Sequence, residues 1–595
     1  MMAQETTLYQ RGGGFLLGLP AAAEVFTPED LDAQQRLIGE TAAGFGKEQV
    51  APLLEKIENR EHEHSVALMR QAGELGLLGI DIPTAYGGLG LSTTTSTLVT
   101  EVLGRYAGAF SLTFGAHTGI GTLPIVYFGN EDQKRRYLPK LASGQWIAAY
   151  ALTEPDAGSD ALAAKTTATL SEDGQHYILN GQKQWITNGS FADVFIVYAR
   201  VNRRLTAFIV PRTLEGVSVG PEVDKMGIKG SSTVMVYLDN VKVPVADVLG
   251  QVDRGHVIAF NVLNLGRWKL AAGALGACKA LLEVSAKYAL ERRQFNAPIA
   301  SFPLIQQKLA AMAARTFALE SMVYRTAGQL TDALHGLDLD QDVSQPAGAA
   351  ISQFAVEASI NKVFGSEVLD FVADEAVQIH GGYGYMQGYV VERAYRDARI
   401  NRIFEGTNEI NRLLIPGTLL RRTLKGELPL MEALQELQRE LSQFIPSLGE
   451  AAAASDDPLA EERRLLEGLR KLTLMVAGLA VQKHMEKLEQ EQELLAAAAD
   501  LGIGLYAAQS TLLRTEKAGY PPLMTDMTRL FVHAVLDEAD VIARRALAAL
   551  EEGDGLRVQL GIARRLTRRD PINSVALGRA VAARVLEAEG YPVPA

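Results

Sequence analysis

One stretch of this chain breaks the period of everything around it. Over residues 166–243 the apolar residues come in short β-branched runs, VFIV (194–197), LTAFIV (205–210) and VMVYL (234–238). Turn signals separate them, EDG at 172–174 and Asn180-Gly181, a strong hairpin dipeptide. Before it, Val66, Leu68, Met69, Ala72 and Leu75 recur at helical spacing, and Leu98, Val99, Val102 and Leu103 do so beyond a loop marked by Gly87, Gly88 and Gly90. After it, Ala/Leu-rich helical runs fill residues 256–420, broken near 335–346, and a second helical block covers 459–586. The low-complexity stretch 446–458 between the blocks reads as a linker or mobile loop. A single β island in a helical chain excludes alternating βαβ and points to an α+β assembly. We expect an N-terminal helical domain (1–148), a middle β-barrel or sandwich domain (149–255), a helical bundle (256–422) and an extra C-terminal helical domain (423–595). No strand leads into a Gly-x-Gly-x-x-Gly, and HGGYGY (380–385) follows a helical pattern, so a Rossmann site is unsupported.

Composition removes other classes. A net charge of −12 argues against bulk nucleic-acid binding. The single cysteine, Cys278, forbids an internal disulfide framework and reads as packing in a helical run. The polar first ten residues lack a basic n-region, and GGGFLLGLP (12–20) is too short for a signal-peptide core. The longest other uncharged apolar run, residues 472–481, is about half a membrane span. These readings predict a cytoplasmic protein with at most peripheral membrane association. No metal-ligand pattern stands out.

Three stretches carry chemistry. In IFEGTNEINR (403–412) one carboxylate, Glu405, lies between Ile403-Phe404 and a Gly-Thr-Asn turn, where Asn408 or Thr407 caps a helix expected through Leu414. Burial on such an apolar wall raises a carboxyl pKa, and Gly406 lets a ligand approach closely. In YALTEPDAGSD (150–160), Thr153 and Ser159 offer hydroxyls on a Pro/Gly-rich loop, suited to a polar ligand edge or a phosphate. In WITN (185–188), Trp185 supplies an aromatic plane two residues from the Thr187 hydroxyl, suited to a flat heteroaromatic ligand; a core Trp at a strand end is the alternative.

Together these motifs resemble the acyl-CoA dehydrogenase family over about residues 30–420, joined by KMGIKGSS (225–232), ERRQF (291–295), QIHGGYG (378–384) and YRDAR (395–399). The extra block beyond 420, with FGAH (114–117) and FEGTNEI (404–410), resembles the layout of the very-long-chain members. The resemblance implies FAD, an acyl-CoA substrate and oxidation of fatty acyl thioesters to trans-2-enoyl-CoA in β-oxidation. It also implies electrons passed to electron-transfer flavoprotein. Glu405 falls on the family's catalytic base, which removes the pro-R α-proton while the β-hydrogen leaves as hydride. Some members carry the base elsewhere; the corresponding position in NLGR (264–267) is Gly266, which has no carboxylate. Arg267 matches the active-site arginine and Asn264 a position on the CoA arm, with Ser159, Phe404 and Gly406 beside the substrate. Tyr150, Leu152, Thr153, Trp185, Ile186 and Thr187 match the flavin ring's surroundings, and Ser159 a pyrophosphate contact. Thr407 and Glu409 match further FAD contacts. Arg292, Phe295, Gln378 and Gly382 match residues that reach the FAD of a neighbouring subunit, which predicts an oligomer. Pro303 stands where the family often has a Gln contact to FAD.

The segment Gly115, Ala116, Gly119, Gly121, Thr122 is expected either to line a deep acyl tunnel or to pack helices closely. The extra domain is expected to cover the face used for tetramers in shorter relatives, giving a homodimer. Its arginines 544, 545, 564, 565, 568 and 569 suit an anionic surface or, more simply, a solvated helix face. Two other functions share these residues: an acyl-CoA oxidase using oxygen, and a scaffold for assembly of larger complexes.

Overall fold

A computed structural model of the chain describes Tyr9 and residues 11–339, 341–442 and 456–594. Most of the linker expected at 446–458 lies outside the described residues. The N-terminal region is helical: α1 (Ala33–Phe45), α2 (His62–Glu74), α3 (Thr93–Gly104), α4 (Gly108–Ala116) and α5 (Glu131–Ala142). Side-chain caps start three of them, at Asp32, Ser92 and Asn130, each oxygen accepting from the amide three residues on.

The β island folds as one sheet: β1 (Ala148–Ala151), β2 (Thr167–Leu170), β3 (His176–Thr187), β4 (Val194–Val201), β5 (Arg204–Pro211), β6 (Val217–Val219), β7 (Thr233–Pro244) and β8 (Val248–Leu249). Its order is β6-β7-β3-β2-β4-β5-β8, with β1 paired to β4. Alternate residues of β4 face two different cores. Val194, Ile196 and Tyr198 pack toward the helical regions, and Phe195, Val197 and Ala199 pack inside the sheet. That double burial explains the run VFIV, which reads as continuous rather than alternating.

The bundle is built on two long helices, α6 (Gly255–Glu291) and α7 (Pro303–Leu334), with α8 (Ala355–His380), α9 (Val390–Ala398) and α10 (Asn408–Leu424). Helix α10 runs ten residues beyond the expected end at Leu414, passing through Pro416. Small residues bring α3 and α6 into contact: a Cβ at Gly104 would lie 2.5 Å from the Gly273 carbonyl oxygen, and one at Gly276 only 1.8 Å from that of Glu101. Cys278 is buried in this packing.

The extra domain contributes α11 (Ala460–His484), α12 (Gln492–Lys517), α13 (Pro522–Leu550), α14 (Gly553–Leu566) and α15 (Ser574–Glu587). The apolar run 472–481 lies in α11, where Leu472, Val476 and Ala480 are buried. No described helix is long and apolar enough to cross a membrane.

A buried ionic network ties this domain to the rest. Arg514 of α12 donates to Glu320 of α7 at 2.6 Å and to Glu29. Lys279 of α6 pairs with Glu320 and with Glu101 at 2.5 Å, and the Tyr324 and Tyr591 hydroxyls donate to Glu101 and Glu320. Opposed charges hold the Glu320 carboxyl down at about 2 although burial alone would raise it.

Candidate active site

The site forms where α6, the segment after α9 and the end of β3 meet. Glu405 takes a left-handed backbone conformation, φ 59°, followed by Gly406 at φ 79°. A non-glycine residue there is strained by roughly 1–3 kcal/mol and persists only when its surroundings hold it. Three side chains do so. Arg267 Nε donates to the Glu405 carbonyl at 3.0 Å, and Asn411 Nδ2 donates to the carbonyls of Gly406 and Thr407 at 2.9 and 3.0 Å. The Thr407 hydroxyl caps α10 by accepting from the Ile410 amide at 3.2 Å.

This geometry drives the Glu405 carboxylate into a cavity of about 230 Å³. Its Oε2 is sealed from solvent and has no hydrogen-bond partner among the described residues. Burial pushes the carboxyl up to about 7, against the pull of Arg267 and Lys362. A Cβ on Gly266 would lie 2.8 Å from that Oε2 and 3.0 Å from Ile120 Cγ2. Position 266 therefore leaves no room for a second carboxylate beside Glu405.

Arg267 is itself buried, and its Nη1 donates to Asn264 Oδ1 at 2.8 Å. Asn264 thus orients the arginine. Tyr150 lies close enough for its hydroxyl to feel both Glu405 and Arg267. Sequence reasoning missed Lys362, a buried lysine of α8. Its Nζ donates to Asn408 Oδ1 at 2.7 Å behind the Glu405 turn, and burial pulls its pKa down to about 7. Asn408 in turn donates to Ser366 and Glu367 at 3.0 Å.

The opposite wall comes from the sheet. The β3–β7 register shifts between Lys183 and Ile186, and this bulge turns Trp185 outward, 58% exposed, while Ile186 stays buried. Trp185 is thus a presented aromatic plane and not a core residue. Thr187 follows and lines the cavity. The loop carrying Leu152 and Thr153 is pinned to β3. Lys183 donates to the Leu152 carbonyl at 3.1 Å and to Glu154 at 2.6 Å, and the Gln184 amide donates to the Thr153 carbonyl at 2.8 Å. Thr187 and Glu405 thus line one cavity, with the exposed Trp185 ring two residues before Thr187 on β3 and the 152–153 loop pinned to the same strand. Ser159 and Glu409 are exposed.

Four expected FAD residues lie elsewhere. Arg292, Phe295, Gln378 and Gly382 sit at the far ends of α6 and α8, all exposed, with Phe295 at 91% and the Arg292 guanidinium over the Tyr383 ring. Arg292 is 26 residues along α6 from Gly266, about 39 Å at 1.5 Å per residue. Arg292 therefore stands far from the Glu405 carboxylate, which lies against Gly266.

Known proteins resemble this chain along nearly its whole length. Acyl-CoA dehydrogenase family models match in four pieces: the N-terminal domain over residues 32–145, the middle domain over 149–241, and two C-terminal domain models over 253–420 and 468–565. The chain is 51% identical, over the full length of both, to a probable acyl-CoA dehydrogenase of Bacillus subtilis. It is 37% identical to the very long-chain specific acyl-CoA dehydrogenase of Bos taurus mitochondria, over 79% of this chain and 72% of that one. A crystal structure of an acyl-CoA dehydrogenase complexed with FAD from Bacillus anthracis superposes with a TM-score of 0.95 at 50% identity, covering 98% of this chain and 100% of that one. Butyryl-CoA dehydrogenase from Megasphaera elsdenii, TM-score 0.60 at 35% identity, covers 66% of this chain and 99% of its own, so it has no counterpart of the remaining third. The chain belongs to the acyl-CoA dehydrogenase family and takes FAD as its cofactor.

Proposed function

We propose that the enzyme oxidises long-chain acyl-CoA thioesters with Glu405 as the α-proton base, and the sealed, unpartnered Oε2 of Glu405 is the observation that carries this reading. Water screens and solvates a carboxylate, which makes it a weak base toward carbon. A carboxyl raised to about 7 by burial is closer in strength to its task, and about half of it is ionised in neutral solution. The Glu405 N–H makes no hydrogen bond among the described residues, so it is available to the thioester oxygen as charge develops there. Arg267 fixes the strained turn that presents both groups. When bound, FAD supplies the two-electron acceptor; on this reading Trp185, Thr187 and the 152–153 loop hold its ring, and Arg292, Phe295, Gln378 and Gly382 hold the FAD of a second copy.

Cavity depth supports a long acyl chain. From Gly266 at the carboxylate the wall follows α6 through Gly273, Ala274 and Ala277 to Leu281, about 22 Å at the helical rise. Gly115, Ala116 and Gly119 line the same space. A Cβ at Gly115 would meet nothing within 4 Å, and one at Gly119 only Lys269 at 3.8 Å. These glycines keep a channel open rather than allow close packing. Gly121 and Thr122 lie off the wall; Gly121 packs against Ala148.

Exposed Phe295, Leu304 and Tyr385, at 91%, 73% and 83%, support a homodimer formed at the bundle end. On this reading the enzyme serves fatty-acid β-oxidation in the cytoplasm, with electron-transfer flavoprotein as the acceptor. The test is anaerobic: acyl-CoAs of increasing length are added to the FAD-loaded protein and flavin absorbance is followed. Bleaching by long chains is expected. The dehydrogenase reading of this cavity fails if none bleaches it, and rapid peroxide formation in air would replace the flavoprotein acceptor with oxygen.

A further inference from the structure

A ladder of side chains leads from the Glu405 turn to the extra domain. Asn408 is three residues past Glu405, at the start of α10, and is buried. Its Nδ2 donates to Ser366 Oγ and to Glu367 Oε1, both at 3.0 Å, and its Oδ1 accepts from Lys362 Nζ at 2.7 Å. An ionised carboxylate only accepts, so Glu367 fixes which way the Asn408 amide points: nitrogen toward Glu367, oxygen toward Lys362. Glu367 is held in turn by Arg412, one turn along α10 from Asn408, whose Nη1 and Nη2 donate to its two oxygens at 2.8 and 3.0 Å. The same guanidinium directs Nε to Asp500 Oδ1 at 2.7 Å. Asp500 belongs to α12 of the extra domain. One rigid plane therefore bridges the two carboxylates, and a shift of either is passed to the other.

The inner end of the ladder is Lys362, which is fully buried and whose Nζ makes no other hydrogen bond among the described residues. Burial disfavours its charge, and a hydrogen bond to the charged form restores it. The charged groups facing Lys362 are Glu405, Arg267, Glu409 and Glu367; those facing Glu405 are Arg267 and Lys362, with the Tyr150 hydroxyl beside them. We propose that Asp500, Arg412 and Glu367 are positioning residues for the reaction at Glu405: the docked extra domain locks the Asn408 amide, the amide holds Lys362 as a cation, and that cation favours the ionised base. The inference rests on the reading of Glu405 as the base.

The test uses the full-length, FAD-loaded enzyme and follows the rate of anaerobic bleaching by palmitoyl-CoA across pH. Asp500→Ala frees Arg412 Nε, and the pH of half-maximal rate should rise by roughly half a unit, in the direction of the shift expected when Lys362 is removed and smaller than it. Asp500→Asn, isosteric and uncharged, should move it less, and serves if Asp500→Ala does not fold. In a Lys362→Met background Asp500→Ala should move nothing, because the cation through which it acts is gone. Arg514→Met, which weakens the attachment of the same domain at Glu320, should leave the profile at the wild-type position. A profile unmoved by both Asp500 variants overturns the proposal. So does a shift that persists without Lys362, or one that Arg514→Met reproduces, since the effect would then be a general loosening. If the wild type bleaches and only the profile fails to move, the ladder alone is refuted. If no acyl-CoA bleaches the flavin, or Glu405→Gln keeps full activity, the reading of Glu405 falls as well.

Discussion

Replacing Glu405 by Gln should stabilise the enzyme as it abolishes turnover, and the stabilisation should depend on pH in a calculable way. Burial raises the carboxyl from its ordinary 4.5 to about 7. A tenfold change in proton affinity corresponds to about 1.36 kcal/mol, so the difference between the folded and unfolded carboxyl amounts to roughly 3 kcal/mol. The sign follows from proton binding. Below about pH 4.5 Glu405 is protonated in both the folded and unfolded chain, and the raised pKa favours the fold in full. As pH rises, the unfolded chain ionises first, and this advantage is lost up to about pH 7, where the folded carboxyl also ionises. Gln has no such titration. Glu405→Gln and wild type should therefore melt together near pH 4.5 and diverge progressively to pH 7, with the variant more stable by roughly 3 kcal/mol above that. The assay is thermal melting of the FAD-loaded proteins at matched scan rates across this range, beside anaerobic bleaching with palmitoyl-CoA. A stability difference that does not change with pH would refute the burial argument. Full bleaching activity in the variant would move the base elsewhere.

Other outcomes follow from the same geometry. Lys362→Met removes a cation that faces Glu405, so the pH at which bleaching reaches half its maximum should rise by about one unit; a fall in rate with no change in the pH profile would make Lys362 purely structural. Gly119→Leu fills the channel midway, and the chain-length profile measured with a series of acyl-CoAs should lose its longest members first. Arg292→Glu, far from Glu405 on the same chain, should nonetheless lower flavin content at least several-fold, read from the ratio of flavin to protein absorbance, with light scattering reporting the assembly state. Arg514→Met removes one of the two cations on Glu320, leaving it Lys279 and the Tyr591 hydroxyl, and should destabilise the protein by about 1.5–3 kcal/mol in chemical denaturation, with little change in the acyl-CoA profile.

Much of the fold and part of the site are legible in the sequence because they depend on local rules. The β island announces itself through β-branched runs and the Asn180-Gly181 turn, and the helical blocks through their period. Glu405 stands out by its neighbours, an apolar pair before it and a glycine after it. Gly266 lacks a carboxylate where the family resemblance would put a relocated base. Trp185 is visible as an aromatic, but its exposure depends on a bulge set by cross-strand register, which a single strand does not encode. Lys362 escapes notice because a lone lysine in ASINKVFGSEVL looks like an ordinary helix position. Its only sequence signal is a cation among positions that the helical period assigns to the core.

What the chain alone determines, then, is the order of domains and the identity of the groups available for chemistry, since both follow from period and side-chain type. The tertiary structure decides which of those groups share a site and in what state. Arg292 and Gln378 belong with Glu405 by motif yet stand at the opposite end of the bundle, because a rigid helix carries 26 residues about 39 Å. Glu405 and Lys362 both titrate near 7 only because α6, α8 and β3 close around them and exclude water. That desolvation belongs to the packed assembly; no stretch of sequence holds it by itself.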